Sequence, residues 1–271
     1  MTTAPEVSVV VPVMNEVENA VPLLNEICAA LRGKVSFEVI FVDDASKDDT
    51  VGSLKAAQRE TPELRVLKHA KNSGQSRAVR SGVLAARGRL VATLDGDGQN
   101  DPADIPNLLT AWRAAEAGDP PLGLVAGQRR KRQDNFMKRM ASRVGNGVRQ
   151  WLLQDNTRDT GCGLKVFSRE AFLRLPYFDH IHRFMPALML REGFRIAHVD
   201  VNHRPREHGV SKYGTLDRLM VSLSDLRGVR WLRRRSRQPE RVDEVLRAGA
   251  AGVAVIAAIL DAADHAAMVR R

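Results

Sequence analysis

Between residues 7 and 94 the chain alternates short β-branched runs with amphipathic stretches, and this alternation restricts the fold more than any other feature. Val7–Val13, Phe37–Asp43, Arg65–Lys68 and Arg89–Leu94 read as strands, while Asn19–Leu31, Asp49–Arg59 and Gln75–Ala86 carry helical spacing. Strands joined through helices of about ten to thirteen residues predict an α/β fold, with a mostly parallel sheet flanked by helices on both faces. Leu122–Ala126 reads as a fifth strand, followed by the basic run Gln128-Arg129-Arg130-Lys131-Arg132 and a helix containing Lys138, Arg139 and Arg143. In such sheets ligands collect outside the carboxyl ends of the strands.

Polar residues are concentrated where that rule places a ligand. The first strand runs into Pro12-Val13-Met14-Asn15-Glu16, the second into Asp43-Asp44-Ala45-Ser46, the third into Asn72-Ser73-Gly74 and the fourth into Asp95-Gly96-Asp97-Gly98-Gln99. Residues i and i+2 of an extended segment share a side, so Asp95 and Asp97 can aim two carboxylates at one point. Two carboxylates with the amide oxygen of Gln99 make a hard-cation donor set suited to Mg²⁺ or Mn²⁺, which keeps open positions for phosphates. An acidic surface turn is the plainer alternative. No Gly-x-Gly-x-x-Gly follows the first strand and no Gly-Lys-Ser/Thr loop is present, which argues against a dinucleotide oxidoreductase and a P-loop NTPase.

The balance of 42 Lys and Arg against 32 Asp and Glu, a formal +10, predicts an anionic partner: nucleic acid, a phosphorylated substrate or an acidic membrane surface. Aromatic residues make up only 5% of the chain, a poor basis for the stacking platform of a nucleic-acid binder, so no nucleic-acid partner is expected. A nucleotidyltransferase with a similar sheet and paired acids is a further alternative. Cys28 and Cys162 have no metal-ligand or Cys-x-x-Cys spacing and are expected to be reduced thiols of a cytosolic protein. The opening residues lack a basic stretch followed by a long apolar run, so no export signal is expected.

The motifs Val9–Glu16, Val42–Thr50, Asn72-x-Gly74 with Gly82, and Asp95-Gly-Asp-Gly-Gln99-x-Asp-Pro102 together resemble the GT-A family 2 glycosyltransferases. Asp159-Thr-Gly-Cys-Gly-Leu-Lys165 and Arg206-x-x-Gly209-x-Ser211-Lys212-Tyr-Gly214 narrow the resemblance, over roughly residues 6 to 235, to the polyprenyl-phosphate branch. The resemblance implies a Rossmann-like GT-A catalytic domain over 1–213 and inverting transfer of a sugar from a nucleoside-diphosphate sugar to a polyprenyl phosphate. It implies that Pro12, Asn15, Glu16, Asn72 and Gly74 border the nucleotide, with Asp44 accepting from its base or ribose. Asp95, Asp97 and Gln99 would hold the metal on the diphosphate, which Arg206, Ser211 and Lys212 would clamp. Arg129, Ser142 and Arg143 are the implied grip on the lipid phosphate. Asp159 stands where relatives place a proposed base, but a phosphate monoester with a second pKa near ~6 is already mostly dianionic at neutral pH. Asp159 is therefore expected to position the acceptor or an active-site arginine. A soluble or glycan hydroxyl is the alternative acceptor.

Downstream, Leu216, Leu219, Met220, Leu223, Leu226, Val229, Trp231 and Leu232 keep helical spacing, with Arg227, Arg230, Arg233, Arg234, Arg235 and Arg237 among them. Residues 214–241 thus suggest a basic amphipathic helix, lying either on an anionic membrane surface or against the catalytic core. Within 242–271, Ala248–Leu260 offers thirteen uncharged residues, short of the ~20 that span a bilayer. An interfacial helix, a contact between copies in a homo-oligomer and a divergent remnant all remain open for it. The expectation is a peripheral protein at the cytoplasmic face of the membrane.

Overall fold

The computed structural model describes residues 4–129, 153, 155, 157, 159–205 and 215–235, in the last segment with side chains from 224 onward. Seven strands, β1 (Val7–Val13), β2 (Phe37–Asp43), β3 (Leu64–Lys68), β4 (Leu90–Thr93), β5 (Leu122–Arg129), β6 (Lys165–Ser168) and β7 (Arg195–Val201), form one sheet in the order β3-β2-β1-β4-β6-β5-β7. The helices are α1 (Val17–Leu31), α2 (Thr50–Ala57), α3 (Gln75–Ala85), α4 (Ile105–Ala115), α5 (Arg169–Arg174), α6 (Met185–Arg191) and α7 (Thr215–Arg235). Most boundaries fall within two residues of those expected. β5 is the exception: it continues past Ala126 because Gly127, Gln128 and Arg129 pair with Val199, Asp200 and Val201 of β7, so Arg129 sits on a strand end.

β1 pairs in parallel with β2 and β4, β2 with β3, and β5 with β7; β6 runs antiparallel between β4 and β5. Alternation along β1 sorts the two layers. Val7, Val9, Val11 and Val13 join the core beneath α1, α2 and α4, whereas Val10 joins the core beneath α3, α5 and α6. Val7, Val9, Val10 and Val11 are all fully buried. Each such side chain stabilises the fold by about 1.5–3 kcal/mol relative to exposure. Gly82 lets α3 approach the sheet, since a Cβ there would stand 2.3 Å from Cγ1 of Val10.

The described part of α7 packs on the layer that contains α3, α5 and α6. Leu226 and Val229 are buried in the cluster that contains α6, Asp225 Oδ2 lies 3.0 Å from His180 Nδ1, and Arg191 Nε donates to the Leu232 carbonyl at 3.2 Å. Trp231 stays 56% exposed on the outer side. No helix among the described residues is long and apolar enough to cross a membrane. Ala248–Leu260 lies outside the described residues.

At the amino ends of the strands a carboxylate is buried among donors. Glu38 accepts from Ser8 Oγ, the Arg87 amide and Arg65 NH1, each at 2.7 Å. Burial alone would raise its pKa, but the bonds from Arg65, Ser8 and Arg87 outweigh it and hold Glu38 below its ordinary 4.5. A carboxylate depressed on folding contributes stability that is complete above the unfolded value and is lost as pH falls through the folded one. Glu38→Gln should therefore lower stability near neutrality by about 1–3 kcal/mol. The wild type should lose more of its urea midpoint than this variant on acidification from about pH 5 to about pH 3. Parallel acid profiles of the two proteins would contradict this.

Candidate active site

From β1 the chain leaves through α1 to β2 and β3 on one side, then returns through α3 to β4 on the other side of β1. The carboxyl ends of β1 and β4 therefore diverge into a crevice, the usual ligand position in such sheets. The acidic turn stands at its mouth. Gly96 packs on β1 so closely that a Cβ would lie 2.8 Å from the Pro12 carbonyl oxygen and 2.6 Å from Val13 Cγ1. Asp95 donates its amide to Asn100 Oδ1 at 3.1 Å, and its Oδ1 accepts from Gln75 Nε2 at 2.7 Å. Asp97 Oδ1 accepts the Gln99 amide at 3.2 Å, and the Gln99 carbonyl accepts from Arg204 N at 2.9 Å.

A strap formed by residues 159–165 closes the far side. A Cβ on Gly163 would stand 2.3 Å from Asp95 Oδ2 and 2.8 Å from Asn100 Oδ1, so only a bare α-carbon fits there. Thr93 Oγ1 ties the strap down by donating to the Gly163 carbonyl at 2.9 Å. Lys165, 4% exposed, donates its Nζ to the Cys162 carbonyl. Burial pushes the Asp95 pKa up and the nearby Asp97 charge pushes it further, against the pull of Lys165, Gln75 and Arg129. Burial conversely pushes the Lys165 ammonium down. At the other end of the strap, Asp159 holds Arg129 through paired bonds, Nε to Oδ2 at 2.5 Å and NH2 to Oδ1 at 2.7 Å. That hydrogen-bonded carboxylate keeps the Arg129 guanidinium above its usual range despite burial.

The remaining expected residues form the other wall. Asn15, with φ of 53°, donates its amide to Ser46 Oγ at 2.8 Å and accepts from the Lys47 amide at 2.7 Å. Glu16 donates its amide to Thr50 Oγ1 at 3.0 Å and accepts from Asn19 Nδ2 at 2.7 Å. These bonds stitch the loop after β1 to the loop after β2. Ser46 thus serves Asn15, while the cap position of α2 is Asp49 and the Asp48 carboxylate takes the Thr50 amide at 3.1 Å. Asn72 Oδ1 accepts from Gly74 N at 3.2 Å, and Gly74 adopts φ of 85° with open space around its α-carbon. Asp44 is 5% exposed and gathers His69 Nδ1, Ser73 N and Gly74 N at 2.7–2.8 Å.

The family model for glycosyl transferase family 2 matches residues 8–175. The chain belongs to this family. It is 36% identical to dodecaprenyl-phosphate galacturonate synthase of Rhizobium johnstonii, over 86% of this chain and 69% of that protein. It is also 36% identical to the undecaprenyl-phosphate 4-deoxy-4-formamido-L-arabinose transferase of Edwardsiella ictaluri, over 78% of this chain and 63% of that protein. The chain thus spans roughly two thirds of the length of these curated relatives. Its fold is similar to that of glucosyl-3-phosphoglycerate synthase from Mycobacterium tuberculosis, solved with Mn²⁺ and UDP, at a TM-score of 0.63 and 21% identity over 84% of this chain and 80% of that one. A mannosyltransferase from Pyrobaculum calidifontis, solved with GDP-Man and Mn²⁺, gives a TM-score of 0.57 and 21% identity over 79% of this chain and 59% of that one.

In this family 2 glycosyltransferase the structure brings Asp95, Asp97, Arg129 and Asp159 to one end of the sheet. Ser142, Arg143, Arg206, Ser211 and Lys212 lie outside the described residues. The sequence reading did not select Gln75, Asn100, Gly163, Lys165, His69 or Arg204 as site residues. Gln75 adjoins one of the motifs, and Asn100, Gly163 and Lys165 lie inside others, but nothing local marks His69 at the end of β3. Gly163→Ala is expected to reduce unfolding free energy by about 1–3 kcal/mol through overpacking. Gly161→Ala, whose Cβ would meet the movable Arg129 NH2 at 3.2 Å and Asp159 Oδ1 at 3.7 Å, should cost less in the same urea titration.

Proposed function

We propose that this glycosyltransferase moves a sugar from a nucleoside diphosphate to a polyprenyl phosphate, with inversion at the anomeric carbon. The observation that carries this reading is the strap 159–163, which holds an acidic turn and a paired, partly buried arginine against one crevice. The names of the two curated relatives, both polyprenyl-phosphate sugar transferases, support the same acceptor class.

The donor set of Asp95, Asp97 and Gln99 fits a hard divalent cation. Two carboxylates lie close enough at the crevice mouth for Asp97 to raise the pKa of Asp95, the mutual repulsion that a bound cation would relieve. Mg²⁺ or Mn²⁺ held there would offset the charge of the departing diphosphate.

The chain's own residues divide the remaining work. Arg129 has five N–H donors and commits two to Asp159, leaving three to face an acceptor phosphate in a fixed plane. Asp159 acts as the positioning residue for that guanidinium. An acceptor phosphate oxygen forms the new bond to the anomeric carbon while the bond to the diphosphate breaks, and the nucleoside diphosphate leaves with the electron pair. The dianionic acceptor gives up no proton, so no general base is required. The exposed Trp231, Arg234 and Arg235 of α7 support attachment to an anionic lipid surface, where the acceptor resides.

Asp97→Asn should reduce nucleoside diphosphate release by about 10²–10³-fold with an unchanged circular dichroism spectrum. Arg129→Lys should raise KM for polyprenyl phosphate more than KM for the donor, and its effect should be non-additive with that of Asp159→Asn. Full turnover by Asp97→Asn, or strict additivity of the pair, would overturn these assignments. In sedimentation with vesicles, Arg234→Glu with Arg235→Glu should release the protein from anionic lipid and leave its weak association with neutral lipid unchanged.

A further inference from the structure

Asp44 stands just past the end of β2, Asp95 past β4 and Arg129 at the end of β5, in that order across the sheet. A sugar bonded to the nucleotide at one side and attacked by the acceptor phosphate from the other must lie between them, over β4 and β6. One imidazole stands at that place. His182 belongs to the single turn Ile181–Arg183, pinned by the burial of Ile181 and Phe184 and by the Phe184 amide on the Ile181 carbonyl at 2.8 Å. Its Nδ1 lies 2.8 Å from Oγ of Ser76, the neighbour of the Gln75 that holds Asp95. Lys165, at the start of β6, is near enough to oppose a positive charge on the ring.

These contacts fix the tautomer. Ser76 is 4% exposed, and among the described residues its hydroxyl meets no acceptor but Nδ1 of His182. A buried hydroxyl donates where it can, so Ser76 donates to Nδ1 and the ring carries its proton on Nε2. Nothing among the described residues bonds that Nε2, and it is not one of the buried polar atoms shut away from open space. Burial, reinforced by the charges of Lys165, Arg183 and His180, pushes the His182 pKa down to about 3. The ring therefore stays neutral at working pH and is too weak a base to take a proton there.

We propose that the Nε2–H of His182 donates a hydrogen bond to an oxygen of the transferred sugar, with Ser76 as the positioning residue that fixes the ring's tautomer. This rests on the nucleotide-sugar reading above. The accepting oxygen belongs to a sugar hydroxyl or a sugar carboxylate, both of which offer lone pairs to an N–H. A carboxylate would gain further from the charges of Lys165 and Arg183. In either case the contact is made beyond the diphosphate, so it distinguishes donors by the sugar they carry. A sugar lacking the oxygen would leave the N–H unpaired and would be rejected for that reason.

The test is calorimetric titration of the full chain in Mn²⁺ with UDP, UDP-glucose and UDP-glucuronate, and with GDP and GDP-mannose. Wild type, His182→Ala, His182→Gln and Ser76→Ala are compared. His182→Ala should weaken binding of the nucleotide sugar that the wild type holds most tightly by about three- to tenfold, and of the matching nucleoside diphosphate by less than about twofold. His182→Gln, whose amide returns an N–H to that side, should recover most of the loss. Ser76→Ala keeps the ring and should show a smaller loss in the same direction, which carries the test should His182→Ala not fold. A larger loss with UDP-glucuronate than with UDP-glucose assigns the contact to a carboxylate, and equal losses assign it to a hydroxyl. In turnover, His182→Ala should raise KM for the nucleotide sugar and leave KM for polyprenyl phosphate unchanged. Unaltered nucleotide-sugar binding in the His182→Ala and Ser76→Ala variants, equal weakening of nucleotide and nucleotide sugar, or no recovery in His182→Gln would each overturn the inference and leave the glycosyltransferase reading intact. Binding of no nucleotide by the wild type would overturn both.

Discussion

The reversal of strand order between β1 and β4 is the constraint from which the site follows. Because β1 sends its chain through α1 to one side and receives β4 from the other, the two strand ends have no helix crossing directly between them. Gly96 then brings the acidic turn into contact with the Pro12 carbonyl, which fixes Asp95 and Asp97 at the opening. Neither carboxylate is placed by its own loop alone. Asp95 is held by Asn100 from within the turn, by Gln75 from α3, and by the bare face of Gly163.

The antiparallel β6 adds what a purely parallel sheet would lack. A strand running backwards between β4 and β5 enters from the ligand end, so the residues that precede it, 159–164, must cross the crevice. That geometry makes one short strap touch both the acidic turn and the Arg129–Asp159 pair. It also accounts for the two glycines of the strap, each facing a charged side chain that a Cβ would crowd. Lys165 begins the strand and stays buried, with its ammonium turned back onto the Cys162 carbonyl.

Several positions of the candidate site were legible in the sequence because their signals are local. Asp95 and Asp97 share a side by strand geometry alone, and Asn72 and Gly74 form their own turn. Gln128 and Arg129 were read as following a strand, whereas pairing with β7 draws them into it; a partner some seventy residues away leaves no mark on the local pattern. The apolar spacing of 216–232 was compatible with membrane or core, and the burial of Leu226 and Val229 beside α6 assigns that part of the helix to the core while Trp231 faces outward. His69 and Arg204 were invisible for the same reason as the β5 extension: Asp44 and Ser81 for one, Glu26 and Asp101 for the other, become neighbours only through the fold.

The sequence by itself determined the alternation of strands and helices, the parallel sheet they build, the edge at which polar residues gather and the hard-oxygen character of the acidic turn. These depend on residue type and short-range periodicity. Tertiary structure alone decided which donors reach each carboxylate. Asp44 and Asp97 look equivalent as letters, yet the fold delivers three N–H groups from distant segments to the first and sets the second at the crevice mouth. A carboxylate's chemistry is set by the donors that reach it, and in this chain those donors arrive through strand order.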